Sequence, residues 1–170
     1  MPVHRWATRP ETATDHPAIR AVVLAAFETA AEADLVEALR ADGSWVPGLS
    51  VVAETPDGTV VGHALLTRCH IDDTPALCLA PVAVLPGHQR TGVGAAVVRA
   101  ALAAARVRGE HTVTVLGHPS YYPRFGFSRA SRHGIKTTAD VPDEALMALD
   151  LDSNSPLPSG TLRYAAPFGS

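Results

Sequence analysis

The sequence is poor in the features that mark several large functional classes. Its 170 residues carry a formal net charge of −3 and contain no run of five basic residues, which argues against a nucleic-acid partner. No apolar stretch approaches the roughly 20 residues of a membrane-spanning helix. Residues 1–6 also lack the apolar core of a signal peptide. We therefore expect one domain over residues 1–170, in a soluble cytoplasmic protein without a membrane partner.

The sequence also offers few residues for a metal site or a disulfide bond. The 8 histidines are scattered without the spacing of metal ligands, so the sequence predicts no metal site. The 2 cysteines, Cys69 and Cys78, flank residues 72–75. If those four residues form a hairpin loop, Cys69 falls opposite Cys78. Because a cytosolic chain keeps its thiols reduced, we nevertheless expect two free thiols packed in the interior.

The most informative segment is a glycine-bearing loop at residues 89–94. Residues 77–84 before it are apolar and short, as in a strand, and residues 95–108 after it contain no glycine or proline. This second run predicts a helix that Gly109 ends. The first N–H groups of a helix have no intrahelical partner, and glycine lets a ligand approach the backbone closely. We therefore expect the protein to bind a phosphate group here.

The spacing of the loop excludes two common phosphate motifs. Gly87 and Gly92 have the separation of a Walker A loop, but Val93 and Gly94 follow where that motif has lysine and then serine or threonine. A dinucleotide fingerprint also fails, because Val97 occupies the position of its third glycine or alanine. The remaining pattern is Gln-x-x-Gly-x-Gly. By itself it is compatible with a phosphate site and with an ordinary structural turn.

A second motif lies further along the chain. Residues 112–117 alternate as in a strand, and they are followed by the pattern Tyr122-x-x-x-Gly126-Phe127. In this order and spacing, the two motifs resemble those of the GNAT superfamily of acetyl-CoA-dependent N-acetyltransferases, and more narrowly its YhbS-like bacterial branch. The resemblance extends from about Trp6 to Phe168. One departure is that residues 117–119, Gly-His-Pro, stand where many members of the superfamily have a cofactor-binding asparagine.

The resemblance implies an α/β (α+β) fold, in which helices flank a mixed, mostly antiparallel central sheet with a splayed parallel pair of strands. The sequence pattern agrees with this order. It predicts a helix opening at Asp15 as its cap, and a second helix over residues 32–41 with Leu35, Ala38 and Leu39 inward. The predicted strands are 6–9, 49–54, 59–70, 76–84, 112–117, 145–151 and 161–164, a further strand starts at Phe127, and residues 153–159 are predicted to form a loop.

The same resemblance implies acetyl-CoA as co-substrate. The pantetheine arm would hydrogen-bond to the backbone of the strand at Val82 and Val84. The pyrophosphate would rest on N–H groups of residues 90–94, with the Arg90 side chain adding positive charge. The implied cofactor-binding residues are Val82, Ala83, Val84, Gln89, Arg90, Thr91, Gly92, Val93 and Gly94.

Amine acetylation sets its own chemical demands. A lysine-like ammonium has a pKa near 10.4, so only about one molecule in a thousand is neutral at pH 7, and a base must take its proton. By resemblance Tyr122 is the candidate acid for the departing thiolate, with Tyr121 as the neighbouring alternative. His118 and Glu32 are the candidate bases. His63, on a central strand, fits a core histidine better.

Two functions of different class fit these residues. One is an N-acetyltransferase that moves an acetyl group to a primary amine by direct attack in a ternary complex. The other is a non-catalytic acyl-CoA-binding sensor or interaction module on the same fold. The acceptor, a small-molecule or peptide amine, is not identified by any charge cluster. We expect its pocket between residues 30–45 and the late strands around Lys136 and Leu146. Those strands are also a possible homodimer surface.

Overall fold

A computed structural model describes residues 6–152 and 155–169 of the chain; part of the predicted 153–159 loop lies outside the described residues. Its helices are α1 (His16–Ala26), α2 (Ala31–Arg40) and α3 (Val93–Val107). Its strands are β1 (Ala7–Pro10), β2 (Trp45–Glu54), β3 (Val60–Ile71), β4 (Thr74–Val84), β5 (Thr112–Leu116), β6 (Ser128–Arg129), β7 (Ile135–Lys136), β8 (Leu146–Asp150) and β9 (Gly160–Arg163).

The strands form one mixed sheet in the order β1-β2-β3-β4-β5-β8-β6, with β9 joined to β3 and β7 to β9. Most neighbours are antiparallel, while β4 and β5 run parallel, as do the short strands β7 and β9. The predicted fold class is therefore confirmed. The two-residue strand β7 contains Lys136, around which a late strand was expected, but its bounds were not predicted because a segment that short has no periodicity to read.

The two faces of the sheet are covered by different parts of the chain. Helix α3 packs on one face through a buried stripe of small and branched residues that includes Val93, Val97 and Ala101. The upper part of the other face, which includes Val60 and Ala83, is covered by α1 and α2. Its lower part, which includes Ile71 and Cys78, is covered by residues that follow β6 in the chain, among them Ala130, Ile135 and Leu162. No helix within the described ranges is both long and apolar enough to cross a bilayer.

Helix α2 is rotated relative to the prediction. Its buried residues are Ala33, Val36 and Leu39, whereas Ala38 is exposed and Leu35 is only half-buried. The outer face is set by two carboxylates, Asp34 and Glu37, which both bind Arg20 of α1. This pairing between two helices is not visible in the local pattern of α2.

Asp15 does not cap α1 with its side chain as predicted. Its carboxylate instead accepts the backbone N–H of Thr12 at 2.7 Å and the Arg9 guanidinium at 2.7 and 2.9 Å. These bonds hold the pKa of Asp15 well below its usual range. Asp15 therefore ties β1 to the turn that precedes α1.

The turn between β3 and β4 is shorter than predicted. Ile71 pairs with Thr74, so the loop consists of Asp72 and Asp73 alone, and Asp72 adopts a φ of 51°. The register therefore places Cys69 opposite Ala76, and the predicted Cys69–Cys78 opposition is wrong. Both thiols are free and buried, and burial raises the pKa of Cys69 to about 12.

Candidate active site

The centre of the sheet opens between β4 and β5. Their parallel ladder contains only the pairs Leu77–Val113 and Cys78–Thr114. Beyond them β4 continues to Val84 and pairs with β3, where the register shifts by one extra residue of β4 between Leu79 and Val82. A bulge of this kind bends a strand and disturbs its ladder. A gap therefore separates the upper part of β4 from β5.

The register of β3 and β4 decides which backbone groups face this gap. The N–H of Leu85 donates to the carbonyl of Val61 at 2.9 Å, which makes these two residues a hydrogen-bonded antiparallel pair. Hydrogen-bonded and non-hydrogen-bonded pairs alternate along such a ladder. The N–H and C=O groups of Ala83 therefore point to β3, whereas those of Val82 and Val84 point into the gap. The Ala83 side chain packs with α1 and α2 on the far face.

The glycine-bearing loop lies at the mouth of the gap. Gly92, the residue before α3, has a φ of 95°, and Arg90 has a φ of 63°. Within the described chain, the N–H groups of residues 90–95 donate no hydrogen bond of good geometry to any protein acceptor. Gln89 Nε2 donates to the Val84 carbonyl at 3.2 Å, which ties the loop to β4. The result is a continuous run of free donors at a helix N-terminus, which favours an anion.

Close packing fixes the position of this helix end. A Cβ atom on Gly62 of β3 would lie 2.6 Å from Val93 Cγ1, so only glycine lets the first residue of α3 approach the sheet this closely. A side chain at Gly62 would push the N-terminus of α3 outward. Gly62 is thus a residue that positions the anion-binding loop, and its role becomes visible only once the helix is placed on the strand.

The two adjacent tyrosines occupy different depths. Tyr121 lies at the mouth, where its hydroxyl is 3.3 Å from the position of a Cβ on Gly94. The Tyr122 ring is deeper and covers Gly117, where a Cβ would lie 2.4 Å from a Tyr122 ring carbon. Burial raises the pKa of Tyr122 to about 12. In the part of the chain that is described, nothing hydrogen-bonds the Tyr122 hydroxyl.

The two candidate bases lie in different surroundings. His118 is exposed, in the turn between β5 and Tyr122, and its carbonyl accepts the N–H groups of Tyr121 and Tyr122 at 3.1 and 3.4 Å. Glu32 is half-buried in the first turn of α2, where it accepts the Thr29 hydroxyl at 3.5 Å. His118 and Tyr122 lie in the same turn after β5, whereas Glu32 lies in α2, which packs with α1 on one face of the sheet.

His63 is a core residue, but it is part of a polar network that sequence reasoning did not reveal. The ring is fully buried, its Nε2 lies 2.8 Å from Ser50 Oγ, and its Nδ1 has no partner among the described residues. Ser50 in turn donates to Glu11. Glu11 also binds Arg40 at 3.0 Å and His16 at 2.9 Å. These residues are distant in sequence, so no local motif announces them.

The splayed strands, the free N–H groups and the Tyr-x-x-x-Gly-Phe turn together form one candidate ligand site. The family described as Acetyltransferase (GNAT) domain matches residues 47–129, which include the gap and the loop. The chain belongs to this family.

Similar proteins place it more narrowly. The uncharacterized N-acetyltransferase YjhQ of Escherichia coli K12 is 37% identical over 98% of this chain and 96% of its own length. The crystal structure of the GNAT family N-acetyltransferase YhbS from Escherichia coli, in complex with CoA, has a TM-score of 0.92 and 28% identity, and the match covers 100% of this chain and 95% of that one. A GNAT family acetyltransferase from Brucella melitensis, in complex with acetyl-CoA, has a TM-score of 0.80 and 31% identity over 98% and 99% of the two chains. The predicted YhbS-like branch is confirmed.

Proposed function

We propose that this protein is an acetyl-CoA-dependent N-acetyltransferase that acetylates a primary amine by direct attack in a ternary complex. One observation carries the proposal. The backbone groups of Val82 and the N–H of Val84, which face the gap, lead directly to the free N–H groups of residues 90–95. An extended amide-bearing arm joined to a pyrophosphate has the chemistry to satisfy both. The CoA and acetyl-CoA bound to the two structural relatives support this proposal.

The cofactor arm binds as an added strand in the gap. Amide groups of pantetheine pair with the N–H and C=O of Val82 and with the N–H of Val84. Ala83 supports the strand between them without a backbone bond to the arm. The pyrophosphate accepts hydrogen bonds from the N–H groups of residues 90–95, and the exposed Arg90 side chain adds charge. Gln89 holds the loop against β4 through the Val84 carbonyl.

The chemical step joins the amine nitrogen to the thioester carbonyl carbon. The tetrahedral intermediate then breaks its C–S bond, and the sulfur takes the hydroxyl proton of Tyr122. A pKa near 12 keeps that hydroxyl protonated at neutral pH, as a general acid requires. Solvent returns the proton to Tyr122 after CoA leaves. The products are an N-acetylated amine and the free CoA thiol.

His118 is the proposed base for the amine proton. It lies in the turn that carries Tyr122, it is exposed, and a neutral imidazole nitrogen can accept a proton. Glu32 is the alternative, since it opens the helix that would form one wall of the acceptor pocket. The proton passes from the amine nitrogen to this base and then to water.

The acceptor is a primary amine of a small molecule or a peptide. Its pocket lies between residues 30–45 and the late strands around Lys136 and Leu146. The surface around Lys136, which is exposed, is also where a second copy of the chain would pack in a homodimer. The site sits in a single domain that spans the chain.

The test begins with thermal-shift titrations of acetyl-CoA, CoA, ATP and NAD. A ligand at a hundred times its Kd adds about 2.7 kcal/mol of stability, or roughly 5–10 °C for a domain of this size. We expect shifts with both CoA species and none with ATP or NAD. Thiol release with a panel of amines then separates the enzyme from a non-catalytic acyl-CoA sensor, which would bind without turnover.

A further inference from the structure

The described arginines differ in their partners. Six have a carboxylate within salt-bridge distance and lie away from the gap: Arg9, Arg20, Arg40, Arg68, Arg129 and Arg163. The other six have none within residues 6–152 and 155–169. Of these, Arg106 and Arg108 donate to backbone carbonyls and Arg132 is exposed elsewhere. Arg90, Arg99 and Arg124 lie around the mouth of the gap or on the turn beside it. Three cations without a carboxylate partner at one place favour an anionic ligand.

Two of these guanidinium groups are held on a single aromatic cluster. Arg124 Cζ lies 4.3 Å from the centroid of the Tyr121 ring, and its Nε donates to the Tyr121 carbonyl at 2.8 Å. Arg99 Cζ lies 5.0 Å from the centroid of the Phe125 ring. The Tyr121 and Phe125 rings are themselves 5.4 Å apart. Stacking on neighbouring rings fixes both cations against the same turn.

The cluster lies directly beside the free N–H groups of the loop, because the Tyr121 hydroxyl approaches Gly94. The terminal nitrogens of Arg99 and Arg124 make no hydrogen bond to any described residue, so their donors are available. A planar guanidinium suits a phosphate through paired N–H donors. The geometry thus provides a second anion site next to the one proposed for the pyrophosphate.

We propose that Arg99 and Arg124 bind the 3′-phosphate of the CoA ribose and so make the enzyme discriminate acetyl-CoA from its 3′-dephospho form. This inference rests on the proposed function. The pyrophosphate uses the backbone donors of residues 90–95. The ribose 3′-phosphate is the other phosphate of CoA and carries close to two negative charges. The paired guanidinium groups supply a matching charge at the mouth.

The test compares binding of CoA and 3′-dephospho-CoA by calorimetry. The wild type is expected to bind CoA at least tenfold more tightly than the dephospho ligand. Arg99→Ala with Arg124→Ala is expected to abolish that preference, by weakening CoA binding about tenfold and leaving dephospho-CoA within twofold. Arg108→Ala with Arg132→Ala removes two exposed cations elsewhere and is the control for net charge. Arg124→Lys keeps the charge without the planar fork and should retain part of the preference.

The outcomes separate this inference from the proposed function. If the wild type binds both ligands equally, or if the double variant loses both equally, the subsite is overturned while CoA binding stands. If neither ligand binds the wild type, the proposed function fails and the subsite with it. Circular dichroism and the melting temperature of each variant exclude loss of folding as the cause, since both arginines are on the surface.

Discussion

The charged groups on the two faces of the sheet are organised in opposite ways. On the α1–α2 face, Glu11 binds Arg40 and His16 and also accepts from Ser50, so its lone pairs are used within the protein. At the mouth of the gap, beside the N-terminus of α3, Arg99 and Arg124 have no carboxylate partner in the described chain. The N–H groups of residues 90–95 likewise have no acceptor of good geometry among the described residues.

This difference separates residues that stabilise the fold from residues whose free groups can bind a ligand. A buried or half-buried charge costs free energy unless it is paired, so the Glu11 network is self-contained. Donors at a ligand site must stay free until the ligand arrives. Substitutions of charged residues on the α1–α2 face should therefore lower stability without weakening CoA binding. Substitutions at the mouth of the gap should weaken CoA binding without lowering stability.

The largest effect is expected for Tyr122→Phe. Loss of the hydroxyl removes the acid that protonates the thiolate, so kcat should fall about 100-fold while CoA affinity and folding are unchanged. The matched control is Tyr121→Phe, which removes a hydroxyl at Gly94 rather than at the reacting sulfur and should cost less than threefold in kcat. Steady-state kinetics with thiol detection measures both. A Tyr122→Phe loss under threefold would remove the acid role from this residue.

Gly94→Val should weaken CoA binding at least about 30-fold. The new side chain begins 3.3 Å from the Tyr121 hydroxyl and 3.5 Å from Val84, so it fills the mouth where the phosphates would lie. Gly87→Val is the control, because a Cβ there meets no atom within 4 Å. Calorimetric titration with CoA compares the two variants. Equal affinities would mean that the ligand does not enter between Gly94 and β4.

On the opposite face, His63 should make stability depend on pH. Burial lowers the pKa of His63 to about 4 in the folded protein, against about 6.5 in the unfolded chain. The unfolded state therefore binds more protons between these values, and stability is full above pH 6.5 and declines as the pH falls toward 4. The total loss from this group is about 3 kcal/mol.

Urea unfolding at pH 7.5, 6.5, 5.5 and 5.0 measures this decline. Glu11, whose pKa is lowered chiefly by its bonds to Arg40 and Ser50 against the effect of burial, keeps its charge over this range. The variant His63→Gln should lose most of the slope between pH 6.5 and 5.0. An unchanged slope in that variant would assign the titration to another group.

The smallest effect is expected for the ion pairs of the α1–α2 face. Arg40→Met keeps the packing of the stem but leaves Glu11 without its main partner, which should cost about 2 kcal/mol of stability. Arg20→Met breaks more exposed pairs with Asp34 and Glu37 and should cost less than about 1 kcal/mol. Both should leave the affinity for CoA within twofold. A tenfold loss of CoA affinity in either variant would contradict the separation of the two faces.

The sequence was sufficient where structure depends on contiguous residues. The loop from Gln89 to Gly94 could be located because glycine placement, a preceding strand and a following helix all lie within one stretch of chain. The fold class was predicted from element order and from the second motif at Tyr122. These are local patterns with a physical cause, and the structure confirms the strand, the loop, the helix and the fold class.

The sequence was insufficient where function depends on register or on distant pairs. The sequence does not distinguish Val82, Ala83 and Val84 as binding residues. Only the alternation of the β3–β4 ladder shows that the backbone groups of Ala83 point to β3. The α2 face was misjudged because Arg20 of another helix orients it. The network of Glu11, Ser50 and His63 joins segments far apart in the chain.

If the cofactor completes the hydrogen bonding of the gap and of the loop, its binding must protect those amides from exchange with solvent. Residue-resolved amide hydrogen exchange, measured by NMR with and without CoA, shows whether it does. We expect CoA to slow exchange at Val82, Val84 and residues 90–95, and to leave Ala83 and the amides of α2 nearly unchanged. Binding of CoA with no added protection at Val82, Val84 and the loop would mean that the ligand does not bind there.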